Sequence, residues 1–374
     1  MSEWTTYNLG TVIDIHDSRR VPLSTMQREK RQGKFPYYGA QGIIDHIDDY
    51  IFDGSYLLIA EDGENLKSRQ SNVAIQVSGQ FWVNNHAHIV SSNQLSNQTL
   101  IFYILNSIDL DQYITGSAQP KLNQEMLKSI VISLPSRSMQ DSIAEVLASL
   151  DDKIDLLTRQ SGTLETLAQT YFRQWFLEEC DKDAILVSDI AALENNSVNP
   201  RRKPLEPFYH YSIPAFDNAQ TPVVELGKAI LSNKFFVLPN TILVSKLNPV
   251  TPRIWRIGED VQPNSVCSTE FQVLKPKNMR HYLFLYCLMK SKDVVASFAM
   301  SSTGTSGSHQ RIRPEYILEV ETPEPDEDKL ALFNEVCTPM MERVKKNQKQ
   351  IQTLQKLRDT LLPKLISGEV RVKK

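Results

Sequence analysis

Glu165-Thr-Leu-Ala-Gln-Thr-Tyr-Phe-Arg-Gln-Trp-Phe176 aligns without a gap on Gln355-Lys-Leu-Arg-Asp-Thr-Leu-Leu-Pro-Lys-Leu-Ile366, 190 positions further along the chain. Leu164 falls on Leu354, Leu167 on Leu357, Thr170 on Thr360 and Phe172 on Leu362. The same offset pairs Leu122 with Ile312, Glu125 with Glu315, Ile130 with Val320 and Pro135 with Pro325. One register kept over such a span marks an internal repeat of about half the chain, and a repeat decides the architecture before any single element does. Upstream the offset drifts, as loop insertions would make it. Even so, Tyr56-Leu-Leu-Ile-Ala60 matches Thr241-Ile-Leu-Val-Ser245, each a short apolar run after a turn (Asp53-Gly54 and Pro239-Asn240) and each reading as a buried strand.

Each half therefore has one plan: a globular part of short strands and turns, a proline boundary, then a long helix. The boundaries are Leu134-Pro135 and Pro323-Glu-Pro325, where proline ends what precedes and permits a helix start just downstream. The expected domains are residues 1–135 and 181–325, two similar mixed α/β units in an α+β chain. Residues 136–180 and 326–374 hold the two helices, from about 139 to 178 and from about 326 to 366.

In the first helix Ile143, Leu150, Leu157, Leu164 and Tyr171 recur every seven residues, with Leu147, Ile154 and Leu167 as a second column that changes phase near Gly162. In the second, Asn347, Leu354 and Leu361 form one column, Val344 and Ile351 another. These are narrow coiled-coil seams with polar outer faces. At 1.5 Å per residue such helices are about 60 Å long, a spacer's length. Two arrangements bury the seams: antiparallel pairing within the chain, with a globular part at each end and a pseudo-twofold axis between them, or pairing between chains in a homodimer. The aromatic end of the first helix, Tyr171, Phe172, Trp175 and Phe176, is either core for the next domain or a surface on which another subunit docks.

With 374 residues the chain exceeds one ordinary core. Its 41 basic and 44 acidic residues leave a net charge of −3, so any nucleic-acid contact has to be local. Cys180, Cys267, Cys287 and Cys337 form no C-x-x-C pair and read as reduced thiols. Met1-Ser-Glu-Trp-Thr-Thr-Tyr has no secretory pattern, and the longest apolar run, Tyr282 to Met289, is too short for a membrane span. A cytoplasmic protein is expected.

Gly33-Lys34 and Gly227-Lys228 lack the earlier glycine of a phosphate loop, and Asn248-Pro-Val and Asn199-Pro-Arg lack the second proline and aromatic of an amino-methyltransferase motif. His86-Ala-His88 alternates along a strand, which sends the two rings to opposite faces and argues against a shared metal.

Five stretches carry a family resemblance: Lys34-Phe-Pro-Tyr-Tyr-Gly-Ala-Gln-Gly-Ile-Ile44, Tyr56-Leu-Leu-Ile-Ala-Glu-Asp-Gly63, Phe81-Trp-Val-Asn-Asn-His-Ala87, Gly116-Ser-Ala-Gln-Pro-Lys-Leu122 and Leu361-Leu-Pro-Lys-Leu-Ile-Ser-Gly-Glu-Val370. Together they make the chain resemble the specificity subunits of Type I restriction-modification enzymes over nearly its whole length. The second half departs from the pattern: Ser265-Val-Cys-Ser-Thr269 stands where the first has Trp-Val-Asn-Asn-His, and an acidic run, Glu324 to Asp328, opens the second helix. The resemblance implies a non-catalytic subunit that reads a split, asymmetric site on double-stranded DNA, one half per domain, with the helices fixing the gap. It also implies methyltransferase subunits docked on the helices and ATP-dependent restriction subunits. S-adenosylmethionine, ATP and Mg would belong to those partners, with no cofactor or metal in this chain.

Base readout needs side chains that donate and accept at base edges, while Lys and Arg hold phosphates. The loops Gly116 to Leu122 and Ser301 to Ile312 occupy corresponding places, which makes Gln119 and Gln310 equivalent candidates beside Lys121, His309, Arg311 and Arg313. Further candidates are Arg19 and Arg20, Lys34 with Tyr37 and Tyr38, Arg201, Arg202 and Lys203, and Lys246, Asn248 and Arg253 after the second half's buried strand. Three rivals stay open: an enzyme with unrecognised catalytic residues, a coiled-coil scaffold that binds no DNA, and the specificity subunit of a methylation-only complex.

Overall fold

The computed structural model of the chain describes residues 4–116, 119–178, 183–302 and 310–372. It divides into two compact units, Met1–Leu157 with Lys349–Lys374, and Thr158–Gln348. Each unit thus holds one globular part and a portion of both long helices, Arg137–Phe172 and Glu327–Ile366.

The first unit is built on a six-stranded sheet in the order Ile13–Ile15, Ala87–Ser92, Phe52–Ala60, Ala74–Val83, Gln32–Gly39, Gly42–Ile47. Neighbours run antiparallel except Gln32–Gly39 and Ala74–Val83, which are parallel. Leu57, Leu58, Ile59 and Ala60 are all buried because the sheet is covered on both faces there. Leu57 and Ile59 pack into the core that contains helix Gln98–Ser107, while Leu58 joins Phe52, Val77 and Phe81 in a second cluster. The two longest strands pair Gly54 with Gly79, both at positive φ (136° and 88°). Only glycine takes such angles without strain, so the ribbon bends there and stays continuous.

In the second unit the equivalent ribbon is broken. Residues 237–240 separate Lys234–Phe236 from Thr241–Ser245, and residues 258–264 separate Ile254–Ile257 from Ser265–Ser268. The result is two sheets in place of one. Their orders are Ala191–Leu193, Phe271–Pro276, Thr241–Ser245, Ile254–Ile257, and Ser197–Val198, Lys234–Phe236, Ser265–Ser268, Pro207–Tyr211, Val223–Leu226. In both units a short antiparallel pair joins the start of the globular part to the segment before its helix: Thr5–Asn8 with Val131–Leu134, and Ala184–Leu186 with Glu321–Pro323.

The long helices pair antiparallel inside each unit. In the first, Asp151 meets Arg358 at 2.6 Å and also accepts from Tyr103 Oη at 2.6 Å, while Ile143 and Leu147 share a core with Leu365. In the second, buried Asn347 donates to Gln160 (3.0 Å) and Ser161 (3.2 Å), and Lys329 reaches the carbonyl of Trp175. Of the two arrangements the sequence allows, the helices adopt pairing within one chain. The seam differs from the expected one. Leu167 is 41% exposed and Ala168 1%, so the 3–4 spacing runs through Ile154, Leu157, Ser161, Leu164 and Ala168 with no change of phase. Small seam residues carry almost no hydropathy signal, and Leu167 beside one of them drew the pattern off register.

The aromatic end of the first helix, continued by a π-turn over Arg173–Glu178, lies in the second unit's core. Phe172 and Phe176 are each 1% exposed and pack edge-on against Phe284 at 5.2 and 5.0 Å. Neither can present a docking surface, which corrects that expectation for these two. Tyr171 and Trp175, partly buried, retain accessible edges. Cys267, Cys287 and Cys337 are buried free thiols, and Cys180 lies outside the described residues.

Candidate nucleic-acid interface

The two units build the same crossing of chain segments where their central buried strand ends. In the first, Glu61 N–H donates to the His86 carbonyl (2.9 Å), Leu122 N–H to the Glu61 carbonyl (2.8 Å) and Gly63 N–H to the Pro120 carbonyl (3.1 Å). In the second, Lys246 N–H donates to Glu270 (2.9 Å), Ile312 N–H to Lys246 (3.0 Å) and Asn248 N–H to Gln310 (2.9 Å). Gly63 and Asn248 both take positive φ, 112° and 49°, as the sharp turn after the strand requires.

These bonds equate Glu61 with Lys246, Pro120 with Gln310, Lys121 with Arg311 and Leu122 with Ile312. Gln119 and Gln310 are therefore not equivalent positions. The expected match followed residue type, whereas the backbone keeps the 190-residue offset and sets Gln119 against His309, which lies outside the described residues.

In the first unit Thr115 and Lys121 exchange two 2.8 Å main-chain bonds and close the loop between them. Gly116 sits at φ 82°, and a Cβ there would come within 2.3 Å of the Gln119 carbonyl, so the loop demands glycine at that place. Gln119 is exposed on it. Lys121 pairs with Glu61 at 3.3 Å, and Glu61 also accepts from Arg20 at 2.7 Å. Burial raises the Glu61 carboxyl, but the hydrogen bond from Arg20 and the charges of His88 and Arg20 outweigh it and hold it below its ordinary range. Arg20 further donates to the carbonyls of Asn85 and Ala87, so it is a structural tie with little left for a phosphate.

The second unit reverses the charge at the strand end. Lys246 occupies the place of Glu61, and its ammonium has no ion-pair partner among the described residues. Arg311 forks onto Glu270 (3.1 Å), and Arg313 lies over the Tyr316 ring at 4.5 Å, exposed on its other side. Gln310 and Asn248 join the crossing through their main chains, and both side chains are part-exposed.

The remaining candidates divide by burial. Tyr37 is 0% exposed, with its hydroxyl accepting from Leu23 N–H at 2.9 Å and Arg28 over its ring. It is core, and the expectation of a DNA contact is withdrawn for it. Tyr38 packs edge-on against Phe81 and is part-exposed. Arg19 covers the Phe52 ring (4.6 Å) and donates to Ile51 O, and Lys34 is exposed over Phe35. Arg201 and Arg202 project from the short turn Pro200–Arg202 without an ion pair among the described residues, whereas Lys203 pairs with Glu206 (2.9 Å). The Arg253 side chain is clamped by Asp217 through bonds of 2.6 and 2.8 Å, while its carbonyl accepts from Ser245 N–H at 3.0 Å.

Two exposed polar groups of the first unit were missed. His86, half exposed, meets Asp62 at 2.7 Å, and Lys67 is exposed on the short helix Asn65–Ser68. The alternation of His86 and His88 was legible, and it does send them apart: His88 is 1% exposed. Among the described residues no group of His, Cys, Asp and Glu is arranged to hold a metal ion, and no helix is long and apolar enough to cross a membrane.

Burial raises the Asp17 carboxyl, but hydrogen bonds from His88 and the Ile89 N–H lower it further, and the net result is below its ordinary value. Groups depressed on folding stabilise the protein above their unfolded pKa, and that contribution is lost as pH falls through the folded value. Asp17 and Glu61 both act in this sense. The urea midpoint of the first unit should hold from neutrality to about pH 5 and drop below about pH 4, the ordinary carboxylate range. An unchanged midpoint at pH 3.5 would refute the assignment.

The family profile described as Type I restriction modification DNA specificity domain matches residues 1–166. The chain is 33% identical over 143 residues to a putative type I restriction enzyme specificity subunit of Haemophilus influenzae, covering 38% of this chain and 36% of that one. It is 27% identical over 315 residues to the type I restriction enzyme MjaIX specificity subunit of Methanocaldococcus jannaschii, covering 73% of this chain and 69% of the relative. The first of these matches thus spans about a third of its relative's length. In fold, the chain is similar to the S subunit of a Type I restriction-modification system from M. genitalium, with a TM-score of 0.64, 16% identity and coverage of 97% and 96%.

Proposed function

We propose that this chain is a DNA specificity subunit of the Type I restriction-modification kind, as the relatives it resembles are described, and that it reads a split, asymmetric site on double-stranded DNA, one block per unit. The observation that carries the reading is the repeated crossing: the same main-chain bonds, in both units, present different side chains at equivalent positions. A frame that is kept while its side chains diverge suits recognition of two different blocks. Gln119 and Lys121 serve the first unit, and Lys246, Gln310, Arg311 and Arg313 the second, with Arg201 and Arg202 on phosphates.

The helix pair sets the gap between the blocks. Methyltransferase subunits dock along it, the accessible edges of Tyr171 and Trp175 contributing, and restriction subunits join when DNA is cut. S-adenosylmethionine, ATP and Mg act in those partners, and this chain supplies the address.

A bidentate contact from Gln to adenine is worth about 1–3 kcal/mol of discrimination. Gln119→Ala and Gln310→Ala should each relax a different block of the methylated motif, as read by sequencing modified bases in a genome carrying the complete system. The same unaltered motif in both variants would remove these two residues from the readout.

A further inference from the structure

We propose that His88 is the positioning residue of the first unit's reading loop: a buried ring, anchored by Asp17, that grips the Leu122 carbonyl and so sets where Gln119 and Lys121 project. The inference rests on the DNA-reading role proposed above for that loop.

His88 points inward from the strand Ala87–Ser92. Its Nδ1 is 2.6 Å from Asp17 Oδ2 and its Nε2 is 2.8 Å from the Leu122 carbonyl oxygen. The Leu122 carbonyl only accepts, so Nε2 carries a hydrogen and donates to it, while Nδ1 and Asp17 Oδ2 share the second proton of the pair. Asp17 Oδ1 accepts from Ile89 N–H at 2.9 Å, which pins the carboxylate to the strand that carries His88. Leu122 is the first residue after the loop closed by Thr115 and Lys121, and its N–H is held by Glu61. The loop is thus fixed through its main chain on one side and through the His88 side chain on the other.

The second unit rebuilds this site without charge. Asn195 Oδ1 accepts from Val273 N–H at 3.1 Å, as Asp17 does from Ile89, and Asn195 Nδ2 donates to Gln272 Oε1 at 2.6 Å, where Asp17 meets His88. Gln272 is 1% exposed. Its amide nitrogen donates to the carbonyls of Phe271 (3.2 Å) and Thr269 (3.5 Å) and makes no bond to Ile312, the counterpart of Leu122. A buried ion pair adds little stability over a neutral pair of similar shape, and the sister unit holds the same strands together with one. Arg20 and Gln124 also reach Asp17, each at 3.5 Å, but the contact through which the first version holds the loop's main chain, and which the second lacks, is the grip on Leu122.

The full chain carrying Asp17→Asn with His88→Gln keeps a donor for Leu122, whereas Asp17→Asn with His88→Leu removes it. Neither leaves an unpaired buried charge. In amide hydrogen exchange, the bonded amides of Thr115, Lys121 and Leu122 should exchange about tenfold faster in the Leu variant and near the parent rate in the Gln variant, with the strand Ala87–Ser92 unchanged in both. Equal protection of the loop in the two variants overturns the proposal, as does loss of protection in loop and strand together. In the assembled system, the Leu variant should relax one block of the methylated motif and the Gln variant should restore it. If exchange responds as expected while the motif does not change, the grip does not position a reading loop and the proposal fails. If the parent protein directs no two-part motif while exchange responds, the DNA-reading role is what fails, and the grip on Leu122 stands.

Discussion

Phe176→Ala is expected to lower the stability of the second unit by about 3–5 kcal/mol, the range for truncating a fully buried aromatic in a core that cannot collapse around the loss. Phe176 touches Phe172, Phe284 and Phe333 with ring centroids 5.9, 5.0 and 5.3 Å away. Those rings come from the first long helix, a helix of the globular part and the second long helix. Removing the phenyl therefore opens a void lined by three elements at once. It also loses the edge-to-face contacts, each worth about 0.5–1.5 kcal/mol beyond burial. Urea denaturation followed by tryptophan fluorescence reads the effect, since Trp175 and Trp255 both lie in this unit. A residue that served only to dock a partner would leave the isolated chain's midpoint where it was, and a shift below about 1 kcal/mol would return Phe176 to that role.

Tyr37→Ala is expected to cost the first unit a similar amount, about 3–5 kcal/mol, and Tyr37→Phe about 1–3 kcal/mol. The ring fills a pocket with Ile47 and Trp82 under the guanidinium of Arg28. Its hydroxyl accepts from Leu23 N–H. Phenylalanine keeps the packing but strands that N–H, which separates the two contributions. If Tyr37 instead contacted DNA, both variants would melt like the parent and only the affinity for DNA would change. Thermal melts of the three proteins decide between these outcomes.

The two residues show where reading along the chain stops. Tyr37 follows a basic stretch and is followed by Tyr38, a pattern that suits a phosphate-tracking rim. On a strand, however, neighbours point to opposite faces, and which face is buried depends on what covers the sheet. Tyr38 keeps an accessible edge and Tyr37 does not. Phe172 and Phe176, four apart on one helical face, read equally well as core or as a docking stripe until Phe284 and Phe333 are seen against them. The equation of Gln119 with Gln310 failed for a related reason: residue type is a weaker guide to equivalence than main-chain bonds made between segments far apart in sequence.

The tandem and the helices were legible in the amino-acid order because they depend on periodicity and on local backbone chemistry, which a linear string carries in full. The resemblance in the five quoted stretches likewise needed no coordinates. Tertiary structure alone decided which aromatics are core, that Ser161 and Ala168 continue the seam, and that His88 clasps a loop 34 residues away in sequence. Each of these depends on which distant groups meet and exclude water, and burial and hydrogen-bond partnership are properties of pairs of segments that neither segment carries alone. The repeated crossing at the strand ends belongs to both kinds: its 190-residue spacing is written in the chain, but its charge reversal, Glu61 paired and Lys246 free of any ion pair among the described residues, emerges only when the partners are in place.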